Sequence, residues 1–316
     1  MTSRFLICAS ITLACLTSAY GQACDRACLK TMLDQYMNAV VKHDPAAAPL
    51  LPGFRQTDNS VVVRPPNGVW KTVTALGKVQ RRYLDPVSGQ AGYFGTVEEG
   101  SKPAIVTVRV KVEDRKITEA EWYLSREGDP GLNGPATATQ AAGNFFDAEN
   151  LAKSPPPDRV VPKAERLSRT SLIAITNSYF DGLSTHDGTI IQAHPGCMRL
   201  ENGNTVAPRA ASAKGPATDC TSGLTNFSAQ LVAARRYPIV DEEAQVVLGL
   251  GVFIRRPGLV TRRNVFSEWF AIDNNLIRSI YSSMFFPSNE APVPNWPPYD
   301  GNWPLPASFA QPAPAK

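Results

Sequence analysis

Histidine is scarce, with three in 316 residues, and that leaves little for zinc chemistry built on imidazole ligands. A charge excess of one sign is also missing. Thirty-two Lys plus Arg against 28 Asp plus Glu leave a formal net charge of +4, scattered along the chain, so no basic patch announces nucleic acid. Beyond the N-terminal region no run reaches the roughly 18 apolar residues of a membrane span. A nucleophile elbow, a phosphate loop and a dinucleotide fingerprint are all absent, and no cofactor is expected. What remains is ordinary globular composition, 43% apolar and 19% charged, which excludes a disordered tail protein. At about 150 residues per domain the length suggests two domains.

The first residues read as a targeting segment. A cationic start at Arg4, an apolar stretch from Phe5 to Ala19 and small-residue sites at Thr17-Ser18-Ala19 and Gly21-Gln22-Ala23 predict a signal peptide over residues 1–23. The mature protein is then expected to be secreted or periplasmic. Removal of Cys8 and Cys15 leaves Cys24, Cys28, Cys197 and Cys220, an even set in an oxidising compartment. A Cys197–Cys220 bridge is expected because the Gly-, Ala-, Ser- and Thr-rich loop between them otherwise lacks restraint; closing it stabilises by roughly 3 kcal/mol. Cys24 and Cys28, one helical turn apart, suit either metal ligands or a local bridge, but no further Cys or His pair completes a tetrahedral metal site.

The chain repeats itself. Tyr36, His43, Asp44, Pro52, Gly53 and Asn59 recur 143 residues later as Tyr179, His186, Asp187, Pro195, Gly196 and Asn202, and Arg81-Arg82-Tyr83 recurs as Arg235-Arg236-Tyr237. The second copy carries an insertion near Cys220. In each copy an apolar stripe at spacings of three and four opens the domain, over Ala27 to Val41 and over Leu167 to Leu183, and predicts a helix. A short second helix follows from Pro45 and from Gly188. Alternating segments come after: Ala91 to Glu98, Ile105 to Val112 and Ile117 to Leu124, then Val246 to Ile254, Asn264 to Ile272 and Leu276 to Met284. This is an α+β pattern, helices first and antiparallel sheet after. The expected domains are residues 24–126 and 164–286, forming an internal pseudo-dimer that can be monomeric as a chain. A Pro- and Gly-rich surface linker is expected over 127–163, and a Pro-rich tail over 287–316 lying along the domain surface.

Thr57-Asp58-Asn59, Gly68-Val69-Trp70, Gly89-Gln90, Tyr93-Phe94-Gly95 and Ile117-Thr118-Glu119-Ala120-Glu121 in the first copy carry a resemblance. So do Cys197 to Gly203, Asp219-Cys220 and Asp241-Glu242-Glu243 in the second. Each half resembles the nuclear transport factor 2-like superfamily, the cone-shaped fold also used by ketosteroid isomerase, scytalone dehydratase and SnoaL-like cyclases. Within it the pattern is similar to a secreted family of unknown function. The resemblance implies two tandem cones, each with N-terminal helices packed on a curved antiparallel sheet. It transfers no activity, because one fold serves many chemistries.

The candidate site residues follow from the pattern. The repeated His-Asp pairs suggest acid–base dyads, but Asp44 and Asp187 stand where caps of a second helix belong, and His43 and His186 sit at helix C-termini, where the dipole suffices to explain them. His194 has no counterpart, since Leu51 occupies its place. Glu268 shares a strand face with Asn264, Phe266, Phe270 and Ile272; buried there, its carboxyl acquires a raised pKa suited to proton transfer. Glu268, His186, His194 and Tyr179 are the catalytic candidates. Tyr36, His43, Trp70, Glu119, Glu121, Asn59 and Asn202 are the binding candidates, although aromatics at these spacings also make plain core and the asparagines suit turns. The leading expectation is binding of a small, partly apolar molecule, with cofactor-independent isomerase, dehydratase or lyase chemistry as its enzymatic form. The rival is a non-catalytic ligand-binding or interaction module. The second copy is the expected seat of any chemistry.

Overall fold

Asp25 accepts a hydrogen bond from the Cys28 backbone N–H at 2.9 Å and so opens helix α1 (Arg26–Val41) with a satisfied N-cap. Leu29, Leu33, Tyr36, Met37 and Val40 form its fully buried stripe. A disulfide joins Cys24 and Cys28 across the first turn, so this pair is a local bridge. A 3₁₀ turn, Pro45–Ala47, follows with Asp44 as its cap. The chain then builds β1 (Leu50–Asp58), β2 (Val61–Val63), the one-turn helix α2 (Val69–Thr72), β3 (Ala75–Asp85), β4 (Gln90–Glu99), β5 (Lys102–Glu113) and β6 (Lys116–Arg126). A short helix, α3 (Ala148–Lys153), lies between the copies. The second copy repeats the plan with α4 (Arg169–Thr185), a 3₁₀ turn over Gly188–Ile190 capped by Asp187, β7 (Ala193–Glu201), β8 (Asn204–Ala207), β9 (Ala229–Asp241), β10 (Val246–Arg255), β11 (Asn264–Asp273) and β12 (Leu276–Phe285). This computed structural model describes residues 24–134, 145–212, 216–255, 258, 260, 262–289 and 291. The expected signal peptide and almost all of the expected tail lie outside the described residues.

The two sheets have the same strand order, β2-β1-β6-β5-β4-β3 and β8-β7-β12-β11-β10-β9. Each is a curved α+β half with its helix on one face. The sheets are mixed rather than antiparallel as expected, because the first strand of each copy runs parallel to the last, β1 beside β6 and β7 beside β12. The long helical and strand excursion between those strands makes a parallel return geometrically available.

The central strands of each sheet, β4 to β6 and β10 to β12, are buried on both faces. On β4, Ala91, Tyr93 and Val97 point toward α1, whereas Phe94 joins Ile105, Tyr123, Leu200, Leu248, Trp269 and Tyr281 in a third core between the two sheets. Gly92 is needed at that seam: a Cβ there would lie 2.4 Å from the Trp269 ring. Trp269 reaches across to donate its indole N–H to Thr107 Oγ1 at 2.9 Å. The segment read as a surface linker contributes to this core as well. Leu151 of α3 is fully buried, and the Pro156 and Pro157 carbonyls accept from Arg81 and Tyr83.

Candidate functional site

Equivalent positions in the two cones can be matched from strand register, and apart from one shared carboxylate they differ in chemistry. In the first cone Asp58 pairs with Trp122, and Trp122 with Val108. The second cone has Glu201 opposite Ser282, and Ser282 opposite Glu268. Two residues earlier on the first strand, Gln56 corresponds to Arg199 by the 143-residue repeat.

The first cone is filled. Tyr36 and Trp70 donate to Gln56 Oε1 at 2.9 and 2.8 Å, and Trp122 Nε1 donates to the Tyr36 hydroxyl at 2.8 Å. Gln56 passes its amide N–H to Asp58 Oδ1 at 2.8 Å, and Asp58 Oδ2 accepts from the Val69 N–H that starts α2. Burial pushes the Asp58 carboxyl up to about 6 and the Tyr36 hydroxyl well above its ordinary value. Tyr36 and Trp70 thus come together, as members of a closed hydrogen-bonded core.

The second cone holds a carboxylate, Glu268, where the first holds Val108, and a serine where the first holds the Trp122 indole. Glu268 has no exposed surface and lies on the face of Phe266 and Phe270, toward α4. Its Oε1 accepts from Arg199 Nη2 at 2.7 Å, and Arg199 Nη1 pairs with Glu201 Oε1 at 2.7 Å. The Arg199 guanidinium stands over the Tyr179 ring at 5.6 Å, so Tyr179, Arg199 and Glu268 form one cluster. Burial raises the Glu268 carboxyl above its ordinary value, with Arg199 opposing. Arg199 opens onto a cavity of about 300 Å³, lined also by Glu201, Arg255, Asn264, Phe227, Phe253, Phe286 and Leu132. Among the described residues Arg199 Nε, Arg255 Nη1 and Asn264 Oδ1 are buried without a hydrogen-bond partner, as is Glu268 Oε2 one residue behind the wall. Burial lowers the Arg255 guanidinium to about 10.

The remaining candidates lie elsewhere. Glu119 and Glu121 do not face the first cone with Tyr36 and Trp70: they are on the opposite face, held by Arg109 at 2.9 and 2.5 Å, with Arg236 of the second domain on Glu121 at 2.7 Å. Burial would raise the Glu121 carboxyl, but Arg109 and Arg236 outweigh it and hold it below its ordinary value. Strict alternation places both glutamates on the face of Ile117. A bulge where Lys111 gives way to Val112 breaks that alternation and sends Ile117 into the helix-side core instead. Asn59 and Asn202 are matched clamps, each bonding through its side chain to the last strand, at Leu124 and at Met284. Both have positive φ, as turns require.

The histidines also separate. His43 Nδ1 meets the Trp70 carbonyl and His186 Nε2 the Ala229 carbonyl, each at 2.7 Å, and His186 caps α4 in the left-handed region. His194 lies outside the second cone, in an open groove of about 660 Å³ with Cys197, Arg159 and Arg278. There its Nε2 is 2.5 Å from Asp273 Oδ1, and Asp273 also faces Arg159 and Arg278. Among the described residues, none of the unpartnered buried atoms belongs to a side chain lining that groove. The Cys197–Cys220 bridge is present, and no group of three or more metal-ligating side chains occurs among the described residues. Pattern reading alone does not reach Arg199, Arg255 or Glu201 as site residues, though aligning the copies at 143 places Arg199 opposite Gln56 and so flags an exchange of amide for cation.

No helix among the described residues is long and apolar enough to cross a membrane, and the two disulfides suit an oxidising compartment. No curated protein matches the chain in sequence. In structure it is similar to a candidate ketosteroid isomerase from Kribbella flavida, at 10% identity and TM-score 0.27 over 46% of this chain and 93% of that one. Residues 165–284, the second cone almost end to end, match the family model described as Domain of unknown function (DUF8021).

Proposed function

We propose that the second cone is a binding chamber for a small, partly apolar molecule. The observation that carries this reading is the convergence of three unpartnered buried polar atoms, on Arg199, Arg255 and Asn264, in the wall of one aromatic-lined cavity. Each such atom costs about 1–3 kcal/mol when left unsatisfied, and a ligand against which these side chains turn to present them recovers part of that cost. The volume of about 300 Å³ stands at the lower end of small-molecule pockets, which run from about 300 to 1,000 Å³. Native mass spectrometry of the full chain after incubation with a metabolite extract tests the reading. Adducts are expected on the wild type and not on Ser228→Trp, which places an indole at a lining position of the cavity mouth. Adducts that persist in the variant place the ligand elsewhere.

The enzymatic form assigns Glu268 as a general base, in isomerase, dehydratase or lyase chemistry, and its raised carboxyl and free Oε2 favour it. Glu268 is fully buried and meets the chamber through Arg199, so proton transfer to a ligand there requires Arg199 to move aside. Binding requires no such movement and is the preferred reading.

A further inference from the structure

We infer that the molecule held in the second cone is an organic monocarboxylate on an apolar body, anchored by Arg255. This deepens the chamber reading and rests on it. The rim of the first cone is closed by charge. Tyr93 pairs with Val108, and Gly249 pairs with Glu268. Since Val108 and Glu268 are equivalent, so are Tyr93 and Gly249, and six residues further along the same strands Glu99 is equivalent to Arg255. On the neighbouring edge Trp122 is equivalent to Ser282, so Arg126 is equivalent to Phe286. In the first cone Glu99 and Arg126 close the rim with a two-contact ion pair, at 2.5 and 2.9 Å.

The second cone inverts the first charge and removes the second. Arg255 stands where Glu99 stood, and its opposite number is a phenyl ring. Its Nε donates to Ser228 Oγ at 3.0 Å, its guanidinium lies 5.4 Å over the Phe253 ring, and Nη1 is buried without a partner. No carboxylate pairs with it among the described residues. A desolvated guanidinium is a fork of N–H donors that fits a planar carboxylate in two parallel hydrogen bonds. One guanidinium without a direct ion pair offers one such seat, which suits a single carboxylate. Arg199 is engaged directly by Glu201 and Glu268, whereas Arg255 feels Glu201 only through space and has no carboxylate within ion-pairing distance among the described residues of the wall. Phe227, Phe253, Phe286 and Leu132 supply the apolar enclosure for the remainder of the molecule.

Calorimetric titration of the full chain with 3-phenylpropionate and octanoate, each against its neutral amide, tests the inference. The acids are expected to bind about tenfold or more tighter than the amides. Arg255→Gln is expected to abolish that preference while leaving amide binding in place, and Arg255→Lys to keep part of it. Arg278→Gln, in the separate groove, is expected to leave it unchanged, and thermal melts confirm that each variant is folded. Equal binding of acid and amide to the wild type, with both lost in Ser228→Trp, overturns the carboxylate inference but preserves the chamber. A preference that survives Arg255→Gln overturns the anchor. Failure of both acids and both amides to bind the wild type overturns the inference and the chamber reading together.

Discussion

Arg26, at the start of the first domain's helix, reaches across to Asp241 at the end of β9, with its guanidinium forking onto both carboxylate oxygens at 2.7 and 3.0 Å. The mirror contact is present: Arg169, 143 residues on, meets Asp85 at 2.7 Å. Each aspartate is fully buried and accepts a backbone N–H from the opposite domain, Leu84 for Asp241 and Val240 for Asp85. Residue i contacts j and the equivalent of j contacts the equivalent of i, as in a two-fold dimer interface.

Removing one arginine leaves a buried carboxylate uncompensated. Arg26→Ala and Arg169→Ala are each expected to cost about 3 kcal/mol, read from urea unfolding. Arg26→Ala combined with Asp241→Asn should recover part of that loss. A single arginine variant with an unchanged midpoint would show that the pair contributes nothing to docking.

The Cys197–Cys220 bridge closes a 23-residue separation. Replacing both cysteines with serine is expected to destabilise by roughly 3 kcal/mol on chain-entropy grounds. Chemical denaturation of oxidised protein against the double variant measures it; equal midpoints refute the estimate.

Glu268 gives a pH signature. Its folded carboxyl lies above the ordinary value of 4.5 because of burial, so the folded state holds a proton that the unfolded chain releases first. The group's contribution to stability is therefore full below about 4.5 and declines as pH rises through the folded pKa. Glu268→Gln keeps the shape and cannot ionise. Melting temperatures of wild type and variant should diverge in the variant's favour as pH rises from about 4 to about 7, and parallel curves would mean that Glu268 titrates normally.

Trp122→Ala empties the first cone and strips the Tyr36 hydroxyl of a donor. A loss of about 3–5 kcal/mol is expected, with ligand binding to the second cone unaffected once the variant is kept folded at low temperature. A change in affinity equal to the change in stability would couple the two cones.

The elements are legible where the local pattern is strong. Leu29, Leu33, Tyr36 and Val40 outline α1, and the hairpins turning at Asp114 and Asn274 connect the strands expected of them. The Cys197–Cys220 pairing and the internal repeat are equally readable. Sheet orientation is not, because strands buried on both faces lose the polar alternation that marks an outside. Glu268 stands out as a carboxylate in an apolar row, whereas the face of Glu119 is reset by a bulge that no sequence pattern announces. Arg255 depends on a rim partner, Phe286, that is distant in the chain, so its missing counter-charge is visible only once the ends of β10 and β12 are placed around one rim.

The Tyr36–Gln56–Trp122 network fills the helix side of the first copy, and the proposed chamber of the second copy rests against that support. Random substitution should therefore divide into two phenotypes along the chain. Changes lining the first cone should lower the amount of protein that accumulates, whatever its ligand. On the chamber reading, changes at Arg255, Asn264 or Ser228 should leave accumulation intact and alter only occupancy, so a two-channel scan of abundance and occupancy would separate the halves.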